Sequence, residues 1–186
     1  DDGLAAPATI VATDIDLDGA LDCMGDLDME VTGPASVGSC SDMTVRVGVV
    51  LFPGTNCELD VQYVVEQLGG RAELLWHGDD TTNGVDAVVV PGGFAHGDYL
   101  RTGAIARFSP VMSAVGEHAR AGGPVIGICN GFQVLCEAHL LPGALQKNAG
   151  LKFLCETATV RVETTSTALT NLANVGDVLR IPINHF

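Results

Sequence analysis

A single cysteine stands between two glycines at the point where an apolar run ends, in the stretch PVIGICNGFQ, residues 124 to 133. The spacing Gly127-x-Cys129-x-Gly131 is that of a nucleophile elbow, where a strand turns sharply into a helix and the central side chain is pushed outward. A helix N-terminus also favours the thiolate, which is the nucleophilic form of cysteine. The pattern is equally typical of a buried cysteine, so the surrounding elements have to decide between the two interpretations.

A second glycine-rich turn, Pro91 to Phe94 (PGGF), follows another apolar run. A backbone N–H of this turn and the N–H of Asn130 would form an oxyanion hole if both came close to Cys129. Each donor of such a hole is typically worth about 3 to 4 kcal/mol to acyl transfer. The two motifs together therefore favour covalent catalysis over a buried cysteine beside an ordinary turn.

Short β-branched apolar runs alternate with amphipathic stretches from residue 43 onward, which predicts strands alternating with helices. Three helices are predicted. The first carries a valine-rich stripe at 61–68, the second begins at Ser109-Pro110, and the third begins directly after Cys129. This order predicts an α/β fold built on a doubly wound, mostly parallel sheet. The predicted strands are residues 45–52, 72–76, 85–90 and 125–128, with two further candidates at 157–163 and 178–183.

The sites of such sheets lie beyond the carboxyl ends of the strands. Four polar or glycine-rich stretches each follow a predicted strand, at residues 52–58, 76–80, 91–101 and 129–131. We therefore expect the chemistry-bearing residues to gather on one edge of the sheet.

Residues 1–42 form an acidic segment that we predict to be a disordered extension of a folded domain at 43–186. Residues 1–43 carry ten acidic side chains and no Lys or Arg, and no helical or strand period persists there. Asp14, Asp16 and Asp18 match the first ligands of a calcium loop, but Gly25 stands where a bidentate Glu is required. An acidic, solvated tail is therefore favoured over a calcium site.

Composition excludes several classes of function. The 186 residues are 47% apolar and carry a formal net charge of −14, which disfavours nucleic acid and anionic membranes as partners. The sequence has no apolar run of about 18 residues and no secretory signal, so we expect a cytoplasmic protein. The six cysteines include no C-x-x-C pair and no zinc-like spacing with histidine, so we expect reduced thiols and no bound metal.

Four stretches, GVVLFPGTNCELD, VVVPGGFAHGDYLR, GICNGFQVL and IPINHF, resemble in order and spacing the class I (triad-type) glutamine amidotransferases. Within that class the likeness is strongest to the glutaminase subunits of phosphoribosylformylglycinamidine synthase, an enzyme of de novo purine biosynthesis. The likeness covers residues 43–186. It implies a flavodoxin-like class I glutamine amidotransferase fold.

The resemblance implies that Cys129 attacks the side-chain amide of glutamine, forms a glutamyl thioester and releases ammonia. The backbone N–H groups of Gly93 and Asn130 would hold the oxyanion. Gln133 would line the glutamine pocket, and Asn148 would contact the substrate through its backbone.

The resemblance also implies a set of partners. Ammonia would pass to a separate ATP-dependent synthetase subunit, and a small accessory subunit would join the complex. The segments 52–58 and 98–101 would face the synthetase. This chain would itself bind no cofactor, because ATP and Mg²⁺ would be used by the synthetase.

The family completes its triad with a His-x-Glu motif near the C-terminus, and this sequence reaches Phe186 without one. The resemblance therefore predicts a C-terminally truncated domain, an incomplete fold, and little or no glutaminase activity for these residues alone. His185 matches a different family position and is not assigned as the catalytic base. His77 and His96 are expected to be structural or pocket-lining.

Two other functions stay open. A hydrolase or chaperone-like relative in the wider cysteine-elbow superfamily could use Glu58, which follows the first strand of the domain. An acid at the start of a helix is, however, also favoured by the helix dipole alone. A non-catalytic subunit that only binds a partner is the second alternative.

Overall fold

The computed structural model describes residues 10–13 and 44–186. Its centre is a five-stranded parallel sheet in the order β1-β5-β4-β2-β3. The strands are β1 (Ile10–Thr13), β2 (Arg46–Leu51), β3 (Arg71–Trp76), β4 (Ala87–Val90) and β5 (Val125–Ile128). The four strands predicted between residues 45 and 128 are confirmed.

Within the described residues, three α-helices cover the sheet: α1 (Glu58–Gln67), α2 (Pro110–Arg120) and α3 (Asn130–Glu137). Neighbouring strand residues point to opposite faces, and both faces are covered. Val49 and Val89 pack with Val61 of α1 on one face, whereas Val50 and Val88 pack with residues of α2 and α3 on the other. Continuous apolar strands buried on both faces are what a doubly wound sheet requires, so the predicted architecture is confirmed.

Helix α2 shows how local sequence sets an element. Ser109 occupies the N-cap and Pro110 the first helical turn, where the missing proline N–H leaves no intrahelical bond unmade. The predicted apolar stripe is buried along its whole length at Val111, Met112, Val115 and Ala119.

The sheet has its topological switch point between β2 and β4. The chain leaves β2 for β3 on one side and then crosses to β4 on the other, so the loops after β2 and β4 meet above the sheet. Phe94 N donates to Gly54 O at 2.8 Å, and His96 N donates to Pro53 O at 2.7 Å. The two loops are thereby joined into one layer at the carboxyl edge.

Strand β1 lies within the segment that was predicted to be a disordered extension. Ile10–Thr13 pair in parallel with β5, with Thr13 opposite Ile128, and the division into an extension at 1–42 and a domain at 43–186 stays a prediction. The physical reason for the pairing is that Ile, Val and Thr favour extended backbone and that β5 otherwise presents unpaired backbone groups at its edge. Residues 1–9 and 14–43, including the calcium-like stretch from Asp14 to Gly25, lie outside the described residues.

A two-stranded antiparallel hairpin stands apart from the main sheet. It pairs β6 (Leu154–Arg161) with β7 (Val178–His185), in the part of the chain where two further strands were predicted. In the parts of the chain described, no helix combines the length and apolar character needed to cross a bilayer.

Candidate active site

Cys129 lies at the turn between β5 and α3, where its backbone has φ 49° and ψ −110°. Such a conformation is costly for a residue with a side chain and recurs at functional turns. A Cβ added at Gly127 would come within 2.6 Å of Leu135 Cδ1. A Cβ added at Gly131 would overlap the Val90 carbonyl oxygen. Both glycines are therefore required by close packing, and the predicted elbow is confirmed.

The loop after β4 brings Gly93 to the same edge. Gly93 has φ 138° and forms a bridge with Thr55, and a Cβ there would come within 2.6 Å of Asn56 N. Gly92 lies beside the elbow, since a Cβ on it would be 3.3 Å from Cys57 Sγ and 3.5 Å from Cys129 Cβ. The absence of side chains at both positions lets this loop approach the cysteine closely.

A cavity of about 880 Å³ opens at this edge. Its lining includes four of the predicted site residues, namely Gly93, Cys129, Gln133 and Asn148. The fifth, Asn130, is 3% exposed and lies directly behind the lining. The structure therefore brings together all five residues singled out for catalysis and substrate binding.

The side chain of Asn130 lies at the centre of a hydrogen-bond network. Ala95 N donates to Asn130 Oδ1 at 2.9 Å. Asn130 Nδ2 in turn donates to Asp98 Oδ1 at 3.0 Å and to Gln133 Oε1 at 3.0 Å. The bond holds Gln133 Oε1 in place, and Gln133 is among the residues that line the cavity.

The side-chain amide of Asn148 forms two hydrogen bonds that hold this residue in position. Its Nδ2 donates to Lys152 O at 2.9 Å and to His185 O at 3.1 Å, which ties the 145–153 segment to the end of β7. His185 also lines the cavity. Its exclusion as the base stays a prediction.

An ion pair borders the cavity beyond Gln133. Arg101 Nε and Nη2 donate to the two carboxylate oxygens of Glu137, each at 2.7 Å. The hydrogen bonds from Arg101 hold the pKa of the Glu137 carboxyl below its ordinary value. Arg107 Nη1 lies 4.0 Å from the same carboxylate.

His77 and His96 contact each other rather than the cavity. Their ring centroids are 5.0 Å apart in an edge-on arrangement, and His96 Nε2 is hydrogen-bonded to Ser109 Oγ at 3.2 Å. Burial lowers the pKa of His96, and the neighbouring His77 lowers it further. Neither histidine is among the residues that line the cavity, which favours the structural one of the two expected roles.

Sequence reasoning included Cys57, Asp98 and Arg101 only within segments expected to face the synthetase. It missed their places in the cavity lining and the pairing of Arg101 with Glu137. Asp98 and Arg101 stand in the quoted stretch GGFAHGDYLR, yet nothing in the local pattern showed that they bond to residues of α3. Cys57 offered only its position after a strand. Among residues 10–13 and 44–186, no three His, Cys, Asp or Glu side chains are grouped as a metal site would require.

The sequence profile of the CobB/CobQ-like glutamine amidotransferase domain matches residues 44–186. The phosphoribosylformylglycinamidine synthase subunit PurQ of Rubrobacter xylanophilus is 55% identical over 141 residues, which are 76% of this chain and 64% of that protein. The PurQ subunit of Rhodococcus jostii is 57% identical over 141 residues, covering 76% of this chain and 63% of that protein. The chain thus spans just under two thirds of the length of these curated relatives.

A solved structure is similar in fold as well. The structure of PurLQS from Thermotoga maritima matches with a TM-score of 0.72 and 38% sequence identity, over 77% of this chain and 67% of that chain.

Proposed function

This chain belongs to the glutamine amidotransferases of the PurQ type, and on that premise we propose that it hydrolyses glutamine through a thioester on Cys129 and delivers the ammonia to a synthetase. The synthetase would use the ammonia to form formylglycinamidine ribonucleotide in purine biosynthesis. The observation that carries the proposal is the strained elbow at Cys129, which faces a cavity shared with Gly93 and Gln133.

The proposed reaction has two covalent steps. The Cys129 thiolate adds to the side-chain amide carbon of glutamine, a carbon–sulfur bond forms, and the carbonyl oxygen becomes an oxyanion. The N–H groups of Gly93 and Asn130 stabilise that charge as it develops. The carbon–nitrogen bond then breaks, the nitrogen takes up the proton that the Cys129 thiol lost, and ammonia leaves. Water then hydrolyses the thioester to glutamate and returns the free thiol.

The surface around the cavity supports the proposal of a protein partner. Phe94, Tyr99 and Leu100 are exposed on the loop after β4, and Leu100 is 90% exposed. Exposed aromatic and aliphatic side chains in one segment are typical of a protein contact. We propose that this loop docks on the ATP-dependent synthetase, that ATP and Mg²⁺ bind to that subunit, and that a small accessory subunit completes a cytoplasmic assembly.

A chloroketone analogue of glutamine tests the chemistry. In the full-length protein that carries this sequence, we expect the reagent to alkylate Cys129 and glutamine to block the reaction. Cys129→Ala should abolish both the alkylation and ammonia release. Cys136 is the matched control, because burial raises the pKa of its thiol and it should stay unmodified.

The same experiment separates the alternatives. Protection by other carbonyl compounds but not by glutamine would favour a hydrolase of the cysteine-elbow superfamily. Glu58, the residue that such a hydrolase would use, is absent from the cavity lining. Binding to the synthetase without any ammonia transfer would favour a non-catalytic subunit.

A further inference from the structure

The geometry points to a role for the side chains of Asn130 and Asp98: together they hold the two halves of the oxyanion hole in a fixed relation. The proposed reaction uses only the backbone N–H of Asn130. Its side chain is nevertheless almost fully buried and fully hydrogen-bonded. The inference rests on the proposed thiol chemistry, because an oxyanion hole matters only if Cys129 attacks a carbonyl carbon.

The two oxyanion donors belong to different parts of the fold. Gly93 lies on the loop after β4, and Asn130 is the first residue of α3. Asn130 Oδ1 accepts the N–H of Ala95, two residues beyond Gly93, at 2.9 Å. Since Ala95 is itself buried, this bond ties the Gly93 loop directly to the start of α3.

The orientation of the Asn130 amide is fixed by its other two partners. Both Nδ2 hydrogens are used, one on Asp98 and one on Gln133. A flipped amide would set its NH₂ group against the Ala95 N–H and its oxygen against the Asp98 carboxylate. Asp98 therefore selects the orientation in which Oδ1 can hold the Gly93 loop.

Asp98 acts on Asn130 as a hydrogen-bond acceptor. Its Oδ1 accepts Asn130 Nδ2 at 3.0 Å, and Gly103 N lies 3.4 Å from the same oxygen. The contact from Asn130 Nδ2 to Asp98 Oδ2 is longer, at 3.3 Å. Both donors are neutral, so an amide that presents its oxygen at the Oδ1 position could replace the carboxylate. Asp98→Asn should therefore preserve the arrangement, whereas Asp98→Ala should not.

Loss of this arrangement should affect only reactions that need the oxyanion hole. The chloroketone analogue develops an oxyanion when the thiolate adds to its carbonyl carbon. Iodoacetamide alkylates the same thiol by direct displacement at its CH₂ carbon and needs no such stabilisation. The ratio of the two rate constants at Cys129 therefore reports on the oxyanion hole separately from the reactivity of the thiol.

The experiment measures both rate constants in the full-length protein, with the modified residue located by peptide mass mapping. We expect Asn130→Ala and Asp98→Ala to lower the chloroketone rate constant about 10-fold or more, as a misplaced oxyanion donor would. The iodoacetamide rate constant should stay within about twofold of the wild type, and Asp98→Asn should restore the chloroketone rate. Asn83→Ala is the matched control, since it removes an exposed amide bond to Glu73 of 2.7 Å.

Two results would overturn the inference. The first is a parallel change in both rate constants, which would mean that the side chains only support the fold. The second is an Asp98→Asn variant as slow as Asp98→Ala, which would mean that the charge of Asp98 is needed. If Asn130→Ala does not fold, the two Asp98 variants decide the matter.

Failure of the proposed function has a different signature. Glutamine would then fail to slow chloroketone labelling of the wild-type protein, before any variant is compared.

Discussion

At the scale of single residues, the site depends on positions that carry no side chain. Gly131 lets the first turn of α3 rest on the backbone of β4, and Gly92 leaves the space between Cys57 and Cys129 open. The backbone of Cys129 itself adopts a positive φ that a strand or helix would not tolerate. The half-buried side chain of Cys129 thus lines the cavity on a backbone that is packed too closely to accept larger residues at its glycines.

We predict that Gly131→Ala destabilises the protein by about 3 kcal/mol. The added methyl group would enter space already filled by the backbone of β4, and the carbonyl group there cannot rotate away. The Cys129 turn should be displaced with α3, so chloroketone labelling should fall as well. Urea denaturation measures the stability. Gly150→Ala is the control, since nothing lies within 4 Å of a Cβ added there. Equal stability of the two variants would contradict this account.

The role of a site residue could be predicted from sequence only where it depends on residues nearby in the chain. Gly127, Cys129 and Gly131 fall within five positions of one another, and the turn they make is a short-range property. The side-chain role of Asn130 was not predictable, because its partners Ala95 and Asp98 lie 35 and 32 positions away. Nothing in the sequence reports such a pairing until the strands are placed.

At the scale of elements, α3 is fastened to one loop at both ends. At its start, Asn130 bonds to Ala95 and Asp98, and at its end Glu137 bonds to Arg101. A helix of eight residues gains little stability from its own hydrogen bonds. Its position is therefore set by the loop after β4 as much as by the sheet beneath it.

The Arg101–Glu137 pair should make stability depend on pH in acid. The pKa of Glu137 is lower in the folded protein than its ordinary value of 4.5, so the folded state favours the carboxylate. The stabilisation is fully present above the unfolded-state pKa and is lost as the pH falls through the folded-state pKa. We expect Glu137→Gln to lower the denaturation midpoint at pH 7 modestly and to flatten its decline below pH 4.5.

Thermal or urea denaturation across this range measures the effect. Glu163→Gln is the matched control, because the Arg161–Glu163 pair is exposed on both sides and should contribute little. An unchanged acid dependence in Glu137→Gln would contradict the assignment.

The central elements were predictable because each carries its own periodic signal. The strand at 125–128 and the start of α2 at Ser109-Pro110 were found where they were expected. Strand β1 was missed, because Ile10–Thr13 is a short run in an acidic segment and becomes a strand only through its pairing with β5. Elements defined by a distant partner have no local period to detect.

At the scale of the whole molecule, exposed apolar side chains of the loop after β4 border the cavity, namely Phe94 and Leu100. Leu100 lines the cavity and is also among the most exposed apolar side chains described. A partner that covered this loop would therefore also close the cavity from above. Ammonia released at Cys129 would then leave toward the partner rather than into water.

We predict that Leu100→Asp weakens binding to the synthetase about 10-fold or more, because a charge would be buried where an apolar contact is expected. Iodoacetamide labelling of Cys129 should be unaffected. Leu172→Asp is the matched control, since Leu172 is 96% exposed on the β6–β7 link and lies outside the cavity lining. Calorimetric titration measures the affinity of each variant for the synthetase. Equal losses of affinity in the two variants would contradict the docking surface.

The loop from Gly93 to Leu100 has a consequence for how this domain can change in length. Five of its residues have left-handed backbone angles, namely Gly93, His96, Gly97, Asp98 and Leu100. Surface loops ordinarily accept insertions and deletions. One residue added or removed here would shift the positions of these backbone angles and carry Gly93 or Asp98 away from α3. Natural variation in chain length should therefore fall in the 164–177 link and spare this loop.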